Sequence, residues 1–170
     1  MSEFYHYFVE GNDDKKIVEV LKTNLQLIIP GKVDKFNVVE SLLNSRHLMN
    51  FKNKKNGTTV ILVFDTDTGN VKVLEKNIEF LKKQSIIKEV ICITQVDNLE
   101  DELIRSCAIK KIKELTNSKS DSDFKRDVLR INNLDQRLKD CKFEMLKFWS
   151  TEPKGVYHKV KNEASKIKKK

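Results

Sequence analysis

No stretch of this chain approaches the roughly 20 apolar residues that a membrane-spanning helix needs, and Met1 to His6 carry no basic region ahead of a long apolar segment. A secretory leader and a membrane anchor are therefore not expected, and the expectation is a cytoplasmic protein with no membrane partner. Cysteine is scarce: Cys92, Cys107 and Cys141 are odd in number, widely spaced and set in apolar patterns. That excludes a disulfide framework or a zinc knuckle and reads as core thiols in a reducing compartment. The three histidines, His6, His47 and His158, have no metal-ligand spacing among them. There is no internal repeat.

What is present suits one compact domain of 170 residues, 39% hydrophobic and 34% charged, with apolar clusters throughout rather than pooled at one end. Lys and Arg number 33 against 25 Asp and Glu, and the net charge of +8 favours a polyanionic partner, of which nucleic acid is the commonest.

Periodicity alternates between strand and helix. Tyr5 to Val9 reads as a first strand, followed by a helix capped by Asn12 or Asp13 with Ile17, Val18, Val20, Leu21 and Leu25 on its apolar face. A short second strand is expected at Leu27 to Ile29, stopped by Pro30-Gly31, and a second helix over Val38, Val39, Leu42 and Leu43, with Asn37 and Glu40 as a capping box. Lys52 to Gly57 is a basic loop into a third strand, Val60 to Phe64. Val71, Leu74, Ile78 and Leu81 predict a third helix, Val90 to Thr94 a fourth strand, and Asp97 with Glu100 the cap of a helix carrying Leu99, Leu103, Ile104, Cys107, Ile112 and Leu115. This alternation argues for an α/β fold with an open, mostly parallel four-stranded sheet and helices on both faces. The core is expected over residues 1–116. A helical extension packed on that core follows over 117–158, with pieces at Phe124 to Ile131 and Leu134 to Cys141 and an aromatic cluster from Phe143 to Trp149 that closes the core. Residues 159–170 read as frayed or as a solvated basic arm.

The chemistry concentrates where strands end on acids. The apolar run Val60 to Phe64 delivers Asp65 and Asp67, which share strand parity and would turn toward one point if the backbone stayed extended. Glu10 ends the first strand. Neighbouring parallel strands lie about 4.8 Å apart, so all three carboxylates could reach one hard divalent cation. Gly11 would let the backbone turn sharply and admit a phosphate.

Val9-Glu10-Gly11-x-x-Asp14 followed by Phe64-Asp65-x-Asp67, in this order on alternating strands, resembles the Toprim domain of topoisomerases, primases, ribosomal-RNA maturases and OLD-family nucleases. The resemblance covers roughly Tyr5 to Ser106. It implies a Toprim-like, Rossmann-like fold and a Mg²⁺-dependent (or Mn²⁺-dependent) phosphoryl-transfer site with one or two ions, made by Glu10, Asp65 and Asp67. Asp14 would help hold a second ion. Glu100, Asp101 or Glu102 would supply a further acid after the fourth strand, with Glu102 taken as the metal ligand, and Lys125 would offset charge in the transition state. Many members place glycine three residues after the second Asp, whereas Gly69 follows Asp67 by two. That departure, and the lack of the further domains topoisomerases and primases need, favour a small nuclease acting on RNA or DNA, compatible with phage defence or RNA processing. A regulatory or ATPase partner would direct such a stand-alone domain. Lys52, Lys54 and Lys55, with Lys168, Lys169 and Lys170, would hold the phosphate backbone without reading sequence.

Two other readings compete. Asp65-x-Asp67 also resembles the nucleophile and acid of haloacid-dehalogenase phosphatases, with Thr94 imitating their second motif, although no late strand ends in paired acids and Glu10 would have no role. A Toprim module that binds nucleic acid or protein without chemistry is the third.

Overall fold

A computed structural model describes residues 3–51, 56–67 and 70–170. Four strands, β1 (Phe4–Val9), β2 (Lys32–Lys35), β3 (Thr58–Asp65) and β4 (Ile87–Gln95), form one open, all-parallel sheet in the order β2-β1-β3-β4. Residues 58–64 of β3 are all buried, because both faces of the sheet are covered. Tyr7, Val9, Ile61, Val63, Ile91 and Ile93 face one core, while Phe8, Val60, Leu62, Phe64, Val90 and Cys92 face the other. The layout is compatible with a Rossmann-like arrangement.

Helix α1 (Asn12–Glu19), prolonged by a π-helical turn (Val20–Asn24), joins α3 (Leu99–Ser106), α4 (Lys113–Thr116), α5 (Phe124–Arg130) and α6 (Leu134–Asp140) around the first core. Helix α2 (Val71–Lys82) covers the second core with Val38, Val39, Leu48 and Phe51. The chain winds outward from β1 to β2, then back past β1 to β3 and on to β4. The winding therefore reverses between β1 and β3, and in open α/β sheets ligands bind outside the carboxyl ends of the strands at such a point.

Several expectations need correction. The second strand lies after Pro30-Gly31, at Lys32–Lys35, and Leu27 to Ile29 contributes only an antiparallel bridge from Ile28 to Lys168. The helix expected over Val38 to Leu43 is a turn. Asn37 Oδ1 accepts the Val39 N–H, and Asn77 accepts the Leu43 N–H and donates to the carbonyls of Val38 and Ser41, so these backbone groups are satisfied without a helix. The long helix after β4 breaks into α3 and α4, and its cap is Asn98, whose side chain accepts the Asp101 N–H at 3.0 Å, rather than Asp97 with Glu100.

Residues 117–158 pack on the core, where Phe124, Val128, Leu134, Leu138, Phe148 and Trp149 join the sheet's first cluster. Residues 159–170 are not frayed. Ile167 is buried, the Glu163 N–H donates to the Cys92 carbonyl and the Lys169 N–H to that of Leu27, so the segment is pinned to β4 and to the stretch before β2. Among the described residues no helix is long and apolar enough to cross a membrane.

Candidate functional site

The carboxyl edge of the sheet gathers four carboxylates. Glu10 follows β1 directly, and its Oε2 accepts the backbone N–H of Asp65 at 2.9 Å, which ties the ends of β1 and β3 together. Asp14, in the first turn of α1, is buried; its Oδ2 accepts the Gly11 N–H at 2.9 Å. Gly11 is extended (φ −133°) within a bend of the chain, so the turn there does not draw on a positive φ. A Cβ there would stand 2.7 Å from Asp13 Oδ1 and 3.2 Å from Asp14 Oδ2, so glycine is what lets the acids fold back over the backbone. Asp67 lies past the end of β3, where the chain bends and the Thr66 and Asp67 N–H groups donate to the Asp97 carbonyl. The extended continuation expected from 65 to 67 therefore fails, although Asp67 remains close enough to Glu10 and Asp65 to raise the pKa of each.

The centre of the arrangement is Gln95, a residue that sequence reading passed over. It ends β4 level with Asp65, and its Nε2 donates to Asp65 Oδ1 and to Asp14 Oδ1, at 2.8 Å each. Its Oε1 accepts the indole N–H of Trp149 at 3.0 Å. The available signal was positional: Gln95 closes an apolar strand as Asp65 does.

The electrostatics follow from burial and crowding. Desolvation, then Glu10 and Asp14, push the Asp65 carboxyl up to about 9, against the opposing Gln95 hydrogen bond. Asp14 rises to about 7, first through desolvation and then through Asp13. Glu10 is also raised, chiefly by desolvation. Tyr157, buried on a 3₁₀ turn (Gly155–Tyr157), has its hydroxyl raised by desolvation and by Glu10 and Asp67, so it stands within electrostatic reach of the acids.

Lys125 on α5 pairs with Glu100 at 3.6 Å. Burial draws its pKa down, but Glu100, Asp13 and Asp65 outweigh this and the net shift is upward, so the lysine does stand within electrostatic reach of the site. Glu102 does not serve there. It is fully buried, with Oε1 accepting from Val96 N–H (3.0 Å) and Arg105 (2.8 Å) and Oε2 from Trp149 N–H (2.8 Å). Its role is to hold loops together, because a carboxylate with three protein donors has few lone pairs left for a metal.

Lys168, Lys169 and Lys170 line a cavity of about 520 Å³ with Glu144, Met145 and Leu146. Among the described residues their hydrogen bonds and ion pairs involve none of the four acids. Lys52, Lys54, Lys55 and Gly69 lie outside the described residues.

Among the described residues no group of three or more His, Cys, Asp or Glu side chains is arranged to hold a metal ion. The Gln95 amide accounts for part of this by filling the gap between Asp14 and Asp65. The donor chemistry nevertheless fits a hard divalent cation: the set is all oxygen, and the neighbouring carboxylates raise the pKa of Glu10, Asp14 and Asp65, a repulsion that a proton or a cation relieves. Family models, curated proteins and solved structures were compared with the chain, and none matches.

Proposed function

We propose that this edge is a Mg²⁺-dependent phosphoryl-transfer centre of the Toprim kind, which cleaves phosphodiester bonds in RNA or DNA. The observation that carries the reading is the convergence of Glu10, Asp14, Asp65 and Asp67 as one mutually repelling set at the switch point between β1 and β3. Glu10, Asp65 and Asp67 would hold the ion. Bound Mg²⁺ supplies the Lewis acidity that activates water and stabilises the leaving oxygen. Lys125, mostly exposed, paired with Glu100 and within electrostatic reach of Asp65, would offset negative charge developing on the phosphate. The net charge of +8 favours a polyanionic substrate and offsets the repulsion that four carboxylates present to one.

One observation favours a second reading, a module that binds nucleic acid without cutting it: Gln95 already satisfies an oxygen of both Asp14 and Asp65. A phosphatase with Asp65 as nucleophile is less well supported. The sheet ends at β4 with no later strand bearing paired acids among the described residues, and Thr94 is fully buried.

Incubation of the purified protein with Mg²⁺ or Mn²⁺ and a panel of single- and double-stranded RNA and DNA separates these. Cleavage that drops about a hundredfold or more in the Asp65→Ala, Asp67→Ala double variant is expected. Cleavage unchanged in that variant would overturn the proposal, and nucleic-acid binding without cleavage would favour the second reading.

A further inference from the structure

We infer that Gln95 is a positioning residue that prevents a metal ion from bridging Asp14 and Asp65, so that the centre takes one ion rather than two. The inference rests on the metal-centre reading above. The amide nitrogen stands 2.8 Å from an oxygen of each acid. An ion shared by those same two oxygens would need to lie about 2.1 Å from each, in the space the nitrogen fills.

The amide cannot simply turn over. An indole N–H only donates, so the Gln95 atom facing Trp149 Nε1 must be the carbonyl oxygen, and the NH₂ group must face the acids. Rotation would set two donors against each other on one side and an oxygen against two carboxylates on the other. Trp149 is itself fixed. Its backbone N–H donates to Glu102, its carbonyl accepts from Asn162 Nδ2 at 2.9 Å, and its ring packs on Phe148 at 4.5 Å between centroids. Gln95 and Trp149 are each 1% exposed, so no solvent is at hand to replace the lost bonds.

The amide thus stands in for the bridging cation on the α1 side of Asp65. On the other side, no protein donor reaches Asp65 Oδ2 among the described residues, and Glu10 and Asp67 are near. Glu10, Asp65 and Asp67 would hold the single ion.

Titration of the purified protein with Mn²⁺, followed by calorimetry and by electron paramagnetic resonance, tests this without reference to catalysis. The expected result is one ion per chain in the native protein. Gln95→Glu and Gln95→Ala, checked for folding by thermal melting, should each take two ions and show spin coupling between them. Trp149→Phe keeps a buried ring and removes only the donor, so the amide is free to present its oxygen. This variant should acquire a second, weaker Mn²⁺ site. Two ions in the native protein, or a single ion in all three variants, overturns the inference while leaving the metal centre standing. No Mn²⁺ in the native protein overturns the metal centre and the inference together.

Discussion

The Glu102 carboxylate accepts the backbone N–H of Trp149 at 2.8 Å across 47 residues of chain, deep in the first core. The same carboxylate accepts from Val96 and Arg105. Removing it strands two buried N–H groups at once and frees the partly exposed Arg105 guanidinium. Glu102→Ala is expected to destabilise the fold by about 3–5 kcal/mol, read as a lower urea midpoint. Glu102→Gln, which keeps one acceptor oxygen, should lose less. An exposed acid elsewhere, such as Glu75→Ala on α2, should lie within about 0.5 kcal/mol of the native protein.

The crowded acids predict a pH dependence. Asp14 and Asp65 titrate at about 7 and about 9 in the folded chain, against roughly 3.9 for an unfolded aspartate. The folded state therefore holds protons that the unfolded state has released, and stability falls as pH rises from about 4 toward 9. Chemical denaturation of the metal-free protein across this range should show that decline. Asp65→Asn should reduce it and stabilise the protein at pH 8 by on the order of 2 kcal/mol, and saturating Mn²⁺ should flatten the same slope.

His6 acts at the acid end. Its ring lies between Phe8 and Phe51, with centroids 4.8 Å from each, and burial lowers its pKa to about 4 although Asp34 and its charge oppose this. Nε2 is 2.9 Å from Asp34 Oδ2, yet the alignment falls short of a hydrogen bond. The folded state binds fewer protons here than the unfolded one, whose histidine titrates near 6.5, so stability is lost as pH falls from about 6.5 toward 4. His6→Phe should remove that loss, visible as a flatter melting temperature between these limits.

Asn77 on α2 is buried and satisfies three backbone groups of the 38–43 turn, at 2.7 to 2.8 Å. Asn77→Leu preserves the helix and strands all three. A loss of about 3 kcal/mol is expected in equilibrium unfolding, with hydrogen exchange accelerated at Leu43 and not at Leu81.

Asn77 also shows where sequence periodicity stops being informative. Val38, Val39 and Leu43 repeat at helical spacing and are buried, as a helix would require, but a side chain 34 to 39 residues away supplies the hydrogen bonds that a helix would otherwise supply itself. The strands β1, β3 and β4 were legible because burial on both faces leaves an uninterrupted apolar run. β2, with the sequence Lys-Val-Asp-Lys, carries only one buried apolar residue at the sheet's edge and gave no such signal. At the site, Glu10, Asp14, Asp65 and Asp67 announced themselves as acids at strand and helix ends. Gln95, Trp149 and Tyr157 did not, because an uncharged amide, an indole and a phenol in apolar surroundings read as core until the fold brings them to the acids. Glu102 erred the other way: a charged residue in the right stretch, turned inward by donors from three separate places.

The pinning of residues 149–169 against the sheet orders events in time. Every candidate ligand lies within the first 67 residues, so a growing chain displays its full complement of acids early, while the groups that space and enclose them are still unmade. Until Trp149 and Tyr157 have left the ribosome, Gln95 has no fixed orientation and the four carboxylates have no fixed separation. A fragment ending before Trp149 should keep all the ligands yet bind Mn²⁺ loosely, as a flexible polyanion does. Tight binding of the ion would then wait until residues as far as Tyr157 have been made.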